Sequence, residues 1–241
     1  MRLFTLPNFL TLGNLFCGIL SVLYLTGVLK TEEINVAHSV FYLLCASLIL
    51  DLLDGMVARA LKISSEIGVQ LDSLADMVSF GLVPGLIMMN LLNTSLQTEF
   101  GIGSVFGFLI TLFSALRLAK FNVDTEQSAY FKGLATPANT IFIFSLFWIT
   151  TKNEGILISK GSVDFFLLLF VTALSSYLLI ANLPMFSFKL KGLSWTENYY
   201  KYIFLIISFV LLLILGISAL AVVIPFYILL SLIFRKKILY A

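Results

Sequence analysis

Residues 51–76 read DLLDGMVARALKISSEIGVQLDSLAD, and five of the thirteen acidic residues in the chain fall inside this stretch. Asp51 and Asp54 close one apolar run, and Asp72 and Asp76 open the next. Carboxylates in a membrane-spanning segment are costly unless paired, solvated or metal-bound, so they mark function by default. At about 100° per residue, Asp51, Asp54, Gly55 and Ala58 share one arc of a helix, and Asp72 and Asp76 share a face of the next, with Gly68 a turn earlier. Two facing helices would then aim four carboxylates at a common point. Gly55 and Ala58 leave room beside it for a nucleotide or another backbone, and Arg59 at the rim is suited to a phosphate.

The sequence on either side supplies the membrane. Of 241 residues, 60% are hydrophobic and 12% charged, with a mean hydropathy of +1.04. Soluble domains run near half apolar and a quarter charged. Apolar stretches long enough for a bilayer are expected at roughly 6–29, 36–58, 72–92, 102–121, 136–151, 163–183, 202–215 and 217–234, the last two joined by a tight turn near Gly216. The fold class expected is therefore all-α, a polytopic membrane helical bundle of about eight transmembrane helices. The whole chain, 1–241, reads as one domain. Arg2 and the apolar run after it read as a retained first helix, because Pro7 and Asn8 interrupt its start and no small-x-small site ends it.

An even number of spans puts both termini on one side. Only Lys30, Lys152 and Lys160 of the fifteen Lys and Arg fall on the opposite side. That asymmetry predicts cytoplasmic termini and carboxylates near the cytoplasmic face of an inner, bacterial-type membrane. Cys17 and Cys45 lie in apolar runs and read as free thiols. With His38 the single histidine, any metal must be held by carboxylates and would be hard, Mg²⁺ or Mn²⁺. No nucleic-acid partner is expected.

Four such carboxylates can hold two divalent cations that clamp the attacking and leaving oxygens of a phosphoryl displacement. Spacing alone leaves two other readings open: the cation site of a transporter, and a rim cluster paired with Arg59 and Lys62.

At these residues the sequence resembles the CDP-alcohol phosphotransferase family, whose signature D-x2-D-G-x2-A-R-x8-G-x3-D-x3-D is filled by Asp51, Asp54, Gly55, Ala58, Arg59, Gly68, Asp72 and Asp76. The resemblance implies a six-helix catalytic core, here followed by an additional helix pair at about 200–234. It also implies two divalent cations, Mg²⁺ or Mn²⁺, held by Asp51, Asp54, Asp72 and Asp76, with Asp76 as the general base. Gly55, Ala58, Arg59, Ser65 and Gly68 would bind the CDP-lipid, and Asn14 of the TLGN in the first helix is similar to an Asn near the nucleotide. A homodimer would fit the family.

PNFLTLGNLFCG, LDSLADMVSFGLVP, ALRLAKFN, FKGLATPAN and SYLLIANLPMFSFK resemble the phosphatidylserine synthase branch, with Ala135 where that branch usually has proline. This likeness implies CDP-diacylglycerol and L-serine as substrates. Glycerol 3-phosphate or an inositol phosphate is the alternative acceptor. Arg117 or Lys132 would hold the serine carboxylate or the lipid phosphate, the competing reading being an ordinary basic rim that also takes in Lys120. Ser187 and Lys189 would touch the lipid headgroup or cap a helix. The many Phe residues read as lipid-facing bulk.

Overall fold

The computed structural model describes residues 4–29, 35–63, 65–96, 101–123, 131–151, 162–187 and 195–239. The helices are α1 (Leu6–Leu25), α2 (Val36–Leu61), α3 (Glu66–Asp76), α4 (Val83–Leu96), α5 (Leu109–Val123), α6 (Thr136–Thr151), α7 (Ser162–Ile180), α8 (Trp195–Leu215), α9 (Leu220–Ile233) and the short α10 (Arg235–Leu239). A π-helical turn, Met77–Leu82, joins α3 to α4, and a 3-10 turn, Ile102–Phe108, leads into α5. Among the described residues these elements make eight rods, the number expected from the apolar runs.

Among the described residues, five stretches are long and apolar enough to cross a bilayer: 6–25, 36–61, 66–96, 102–123 and 198–233. The last is a hairpin. A straight helix would separate Tyr200 from Phe234 by about 50 Å, yet their rings stack with centroids 5.3 Å apart, and those of Phe204 and Phe226 lie at 5.9 Å. The chain reverses at Gly216, whose φ of 58° a side chain would rarely tolerate. The protein is an integral membrane helical bundle.

The first helix buries its small and polar side and turns its large apolar side outward. On α1 the buried residues are Pro7, Asn8, Thr11, Asn14, Gly18 and Ser21, while Leu6, Phe9, Leu12, Phe16 and Ile19 are exposed. Lipid is as apolar as leucine, so burying Leu gains little there, and small or hydrogen-bonding residues make the helix contacts instead. Gly18 shows the closeness reached: a Cβ added to it would lie 3.1 Å from the Ser79 main chain. Larger apolar side chains fill two interior clusters. One gathers Val40, Leu44, Ile87, Met88, Ile110, Ile143 and Trp148, and the other Leu134, Phe186, Tyr200, Phe204 and Tyr227. The phenylalanines accordingly divide: Phe166, Phe170 and Phe209 face outward, but Phe80, Phe144 and Phe186 are buried.

Three details depart from the sequence expectation. The third rod begins at Glu66, not near Asp72, because Ser65 caps it, its hydroxyl accepting from the Gly68 N–H at 3.0 Å. The α3–α4 junction is π-helical, and its carbonyls are met from outside: Thr140 Oγ1 donates to Phe80 O at 3.1 Å and Thr111 Oγ1 to Gly81 O at 2.9 Å. A two-residue antiparallel pair, β1 (Phe131–Lys132) with β2 (Pro184–Met185), interrupts the otherwise helical architecture. Pro184 is four residues past Ile180, the end of α7, and cannot continue the helix, so the chain leaves extended.

Candidate active site: a carboxylate group between α2 and α3

Asp51 lies on the last turns of α2 and Asp72 and Asp76 on α3. Each offers a carboxylate oxygen, and these oxygens lie within 4.8 Å of one another. The i, i+4 spacing of Asp72 and Asp76 puts both on one face of α3, as the sequence required. Asp54, one turn beyond Asp51 and buried, stands outside that group of three and accepts a hydrogen bond on Oδ2 from Thr11 Oγ1 at 2.6 Å. Asp76 accepts on Oδ1 from the Asn14 amide at 3.2 Å.

Carboxylates this close repel one another, and no cation side chain of a described residue is paired with them. The Asp72 Oδ1 is buried with no hydrogen-bond partner. An isolated buried carboxylate oxygen is expensive, so the group fits a divalent cation, and the all-oxygen donor set suits a hard one. These residues could hold a metal.

The other residues singled out in the sequence are distributed as follows. Gly55 and Ala58 are half-buried on α2, and Arg59 is exposed at its end, with its guanidinium lying over Gly55 (Nη1 3.4 Å from where a Cβ would stand). Gly68 has Ser65 Oγ at 3.0 Å and Asn8 Oδ1 at 3.4 Å from the corresponding point, so the start of α3 packs against the start of α1. The Ser65 hydroxyl is engaged as the helix cap. Arg117, on α5, spends Nη1 on two main-chain carbonyls, Lys132 O at 3.1 Å and Leu179 O at 2.9 Å. Lys132 is in β1 and lends its carbonyl to that contact. Lys120 Nζ donates to Asn182 Oδ1 at 2.7 Å. Lys189 lies outside the described residues, as do Arg2, Lys30, Lys152, Lys160 and Lys191.

Four contacts escaped the sequence reading: Thr11 on Asp54, Asn14 on Asp76, Asn122 Nδ2 on Ser73 Oγ at 2.8 Å, and Asn182 on Lys120. A signal for the first two was present, since Asn8, Thr11 and Asn14 form a polar stripe at three-residue spacing on an apolar helix.

The model of the CDP-alcohol phosphatidyltransferase family matches residues 4–235. The chain belongs to that family. Its relatives within the CDP-alcohol phosphatidyltransferases include proteins named CDP-diacylglycerol–serine O-phosphatidyltransferase. The one from Helicobacter pylori is 30% identical over 211 residues, 86% of this chain and 82% of the relative. The Mycobacterium tuberculosis protein is 34% identical over 195 residues, covering 78% and 62%. That of Bacillus subtilis is 32% identical over 132 residues, 55% of this chain and 69% of the relative.

Proposed function

We propose that the protein transfers the phosphatidyl group of CDP-diacylglycerol to L-serine, giving phosphatidylserine and CMP. One observation carries the chemistry: three carboxylates from two helices have oxygens within 4.8 Å of one another, in a chain of this family. The names of the relatives from Helicobacter pylori and Mycobacterium tuberculosis support serine as the acceptor.

In this proposal Asp51, Asp54, Asp72 and Asp76 hold two divalent cations, Mg²⁺ or Mn²⁺. Bound there, the cations would neutralise charge developing on the diphosphate. Gly55, Ala58 and Gly68 let the nucleotide come close to the backbone, and Arg59 and Ser65 flank its phosphates. Arg117 and Lys132 lie on the acceptor side. Asp76 is the general base: Oδ1 is held by Asn14, and Oδ2 takes the proton from the serine hydroxyl. The serine oxygen then bonds to the phosphorus bearing diacylglycerol as the phosphorus–oxygen bond to CMP breaks.

The same reading treats residues 1–241 as one domain with an appended α8–α9 hairpin, working as a homodimer in an inner, bacterial-type membrane. Cytoplasmic termini are supported by charge. Arg59 and Lys62 end α2, Lys120 ends α5, and Arg235, Lys236 and Lys237 follow α9, all at the end of the bundle that carries the carboxylates.

The test is an end-product assay. Purified protein given CDP-diacylglycerol and Mn²⁺ should release CMP with serine and make phosphatidylserine. CMP release with glycerol 3-phosphate or an inositol phosphate instead would reassign the acceptor. Cation flux in proteoliposomes without CMP release would overturn the transferase reading.

A further inference from the structure

We infer that Thr11 and Asn14 of α1 are positioning residues that set the aim of Asp54 and Asp76, an inference that rests on the carboxylate group holding divalent cations. Both are buried, Thr11 at 3% exposure and Asn14 at 0%. Thr11 Oγ1 donates to Asp54 Oδ2 at 2.6 Å, closer than its other acceptor, Pro7 O at 3.1 Å, and Asn14 Nδ2 donates to Asp76 Oδ1 at 3.2 Å. A carboxylate tied at one oxygen cannot turn freely about its last torsion, so its other oxygen is held in one direction.

Asn14 does more than donate. Its main-chain carbonyl accepts from Ser47 Oγ at 3.2 Å and from Ser79 Oγ at 3.0 Å. Ser47 is one turn before Asp51 on α2, and Ser79 is three residues past Asp76 in the π-helical turn. One residue of α1 therefore ties together the two rods that carry the aspartates and grips a carboxylate between them. Asn14 has 0% of its surface open, and its amide nitrogen meets the carboxylate group through Asp76. The relation runs from an unremarkable polar stripe on the first helix to the spacing of the site.

The two substitutions separate this role from others. Thr11→Val removes the hydroxyl at nearly constant shape, and Thr11→Ser keeps it; Asn14→Ser removes the amide but leaves the main-chain carbonyl to Ser47 and Ser79. Mn²⁺ binding is measured on the purified full chain without lipid substrate, by the electron paramagnetic resonance signal of free Mn²⁺, alongside kcat and KM for CDP-diacylglycerol. Thr11→Val and Asn14→Ser should each weaken Mn²⁺ binding about tenfold or more and lower kcat, with KM nearly unchanged and Thr11→Ser close to the parent.

Unchanged Mn²⁺ affinity with a raised KM would overturn the inference in favour of a direct substrate contact. Equal losses in Thr11→Ser and Thr11→Val would overturn it in favour of packing alone. If the parent protein itself binds no Mn²⁺, the metal reading of the site fails first and this inference with it. Asn14→Ser repeats the comparison at a second carboxylate, so a folding defect in either variant leaves the other decisive.

Discussion

Arg117 on α5 and Leu179 on α7 are joined by a hydrogen bond from the guanidinium Nη1 to the main-chain oxygen at 2.9 Å, and the same nitrogen reaches Lys132 O at 3.1 Å. A planar fork of donors suits two carbonyls that point at one spot, and a lysine ammonium at the end of a flexible stem suits them less. Arg117→Lys should therefore lower the stability of the detergent-solubilised protein by on the order of 2 kcal/mol, read as a drop in thermal midpoint. If Arg117 also holds the acceptor, the KM for serine rises in the same variant. A variant as stable as the parent would remove the bracing role.

Asp51→Asn and Asp72→Asn should each reduce phosphatidyl transfer by about 1000-fold or more, since each removes a charged ligand from the group. Without metal, the same changes relieve repulsion between clustered carboxylates. The apo proteins should then be as stable as the parent or more so. Activity and the midpoint in chelator are to be measured on the same preparation. Loss of both would mean that the aspartates serve folding instead.

Asp76→Asn should abolish turnover, because it removes the proton acceptor along with one charged ligand of the group, while the three remaining aspartates leave CDP-diacylglycerol binding measurable by equilibrium titration. Near-normal turnover would defeat the assignment of Asp76 as the base.

Gly18→Ala adds a methyl group 3.1 Å from the Ser79 main chain. Overpacking of this kind costs about 1–3 kcal/mol. Ser79 is bonded to the Asn14 carbonyl, so the variant should lose activity as well as stability. An unaltered midpoint would show that α1 can back away from the π-helical turn at no cost.

The eight rods were legible in the sequence because long apolar runs broken by charged separators leave few alternatives, and the reversal at Gly216 was legible from a glycine within an apolar stretch too long for one span. Helical spacing and the family signature pointed to four converging aspartates; Asp51, Asp72 and Asp76 form one close group, and Asp54 stands outside it, bonded to Thr11. The π-helical turn had no such sign: a run such as Met77–Leu82 carries no mark of i→i+5 bonding, and the hydroxyls of Thr111 and Thr140 that meet its carbonyls come from other rods. The bracing contacts of Arg117 were not legible, because its partners are main-chain oxygens, which sequence patterns do not reveal. The early start of α3 could have been read from Ser65 and Glu66, a capping residue followed by an acid in the first turn. Hydropathy outweighed it, since residues 65–71 are too polar to register as a span.

In the proposed mechanism, carboxylates from two neighbouring rods surround divalent cations. Crystals grown with Mn²⁺ and measured at the manganese absorption edge test it most directly. Anomalous density should be enclosed by Asp51, Asp72 and Asp76, with a second peak on the side of Asp54. Density that avoids these four side chains in a protein saturated with Mn²⁺ would contradict it.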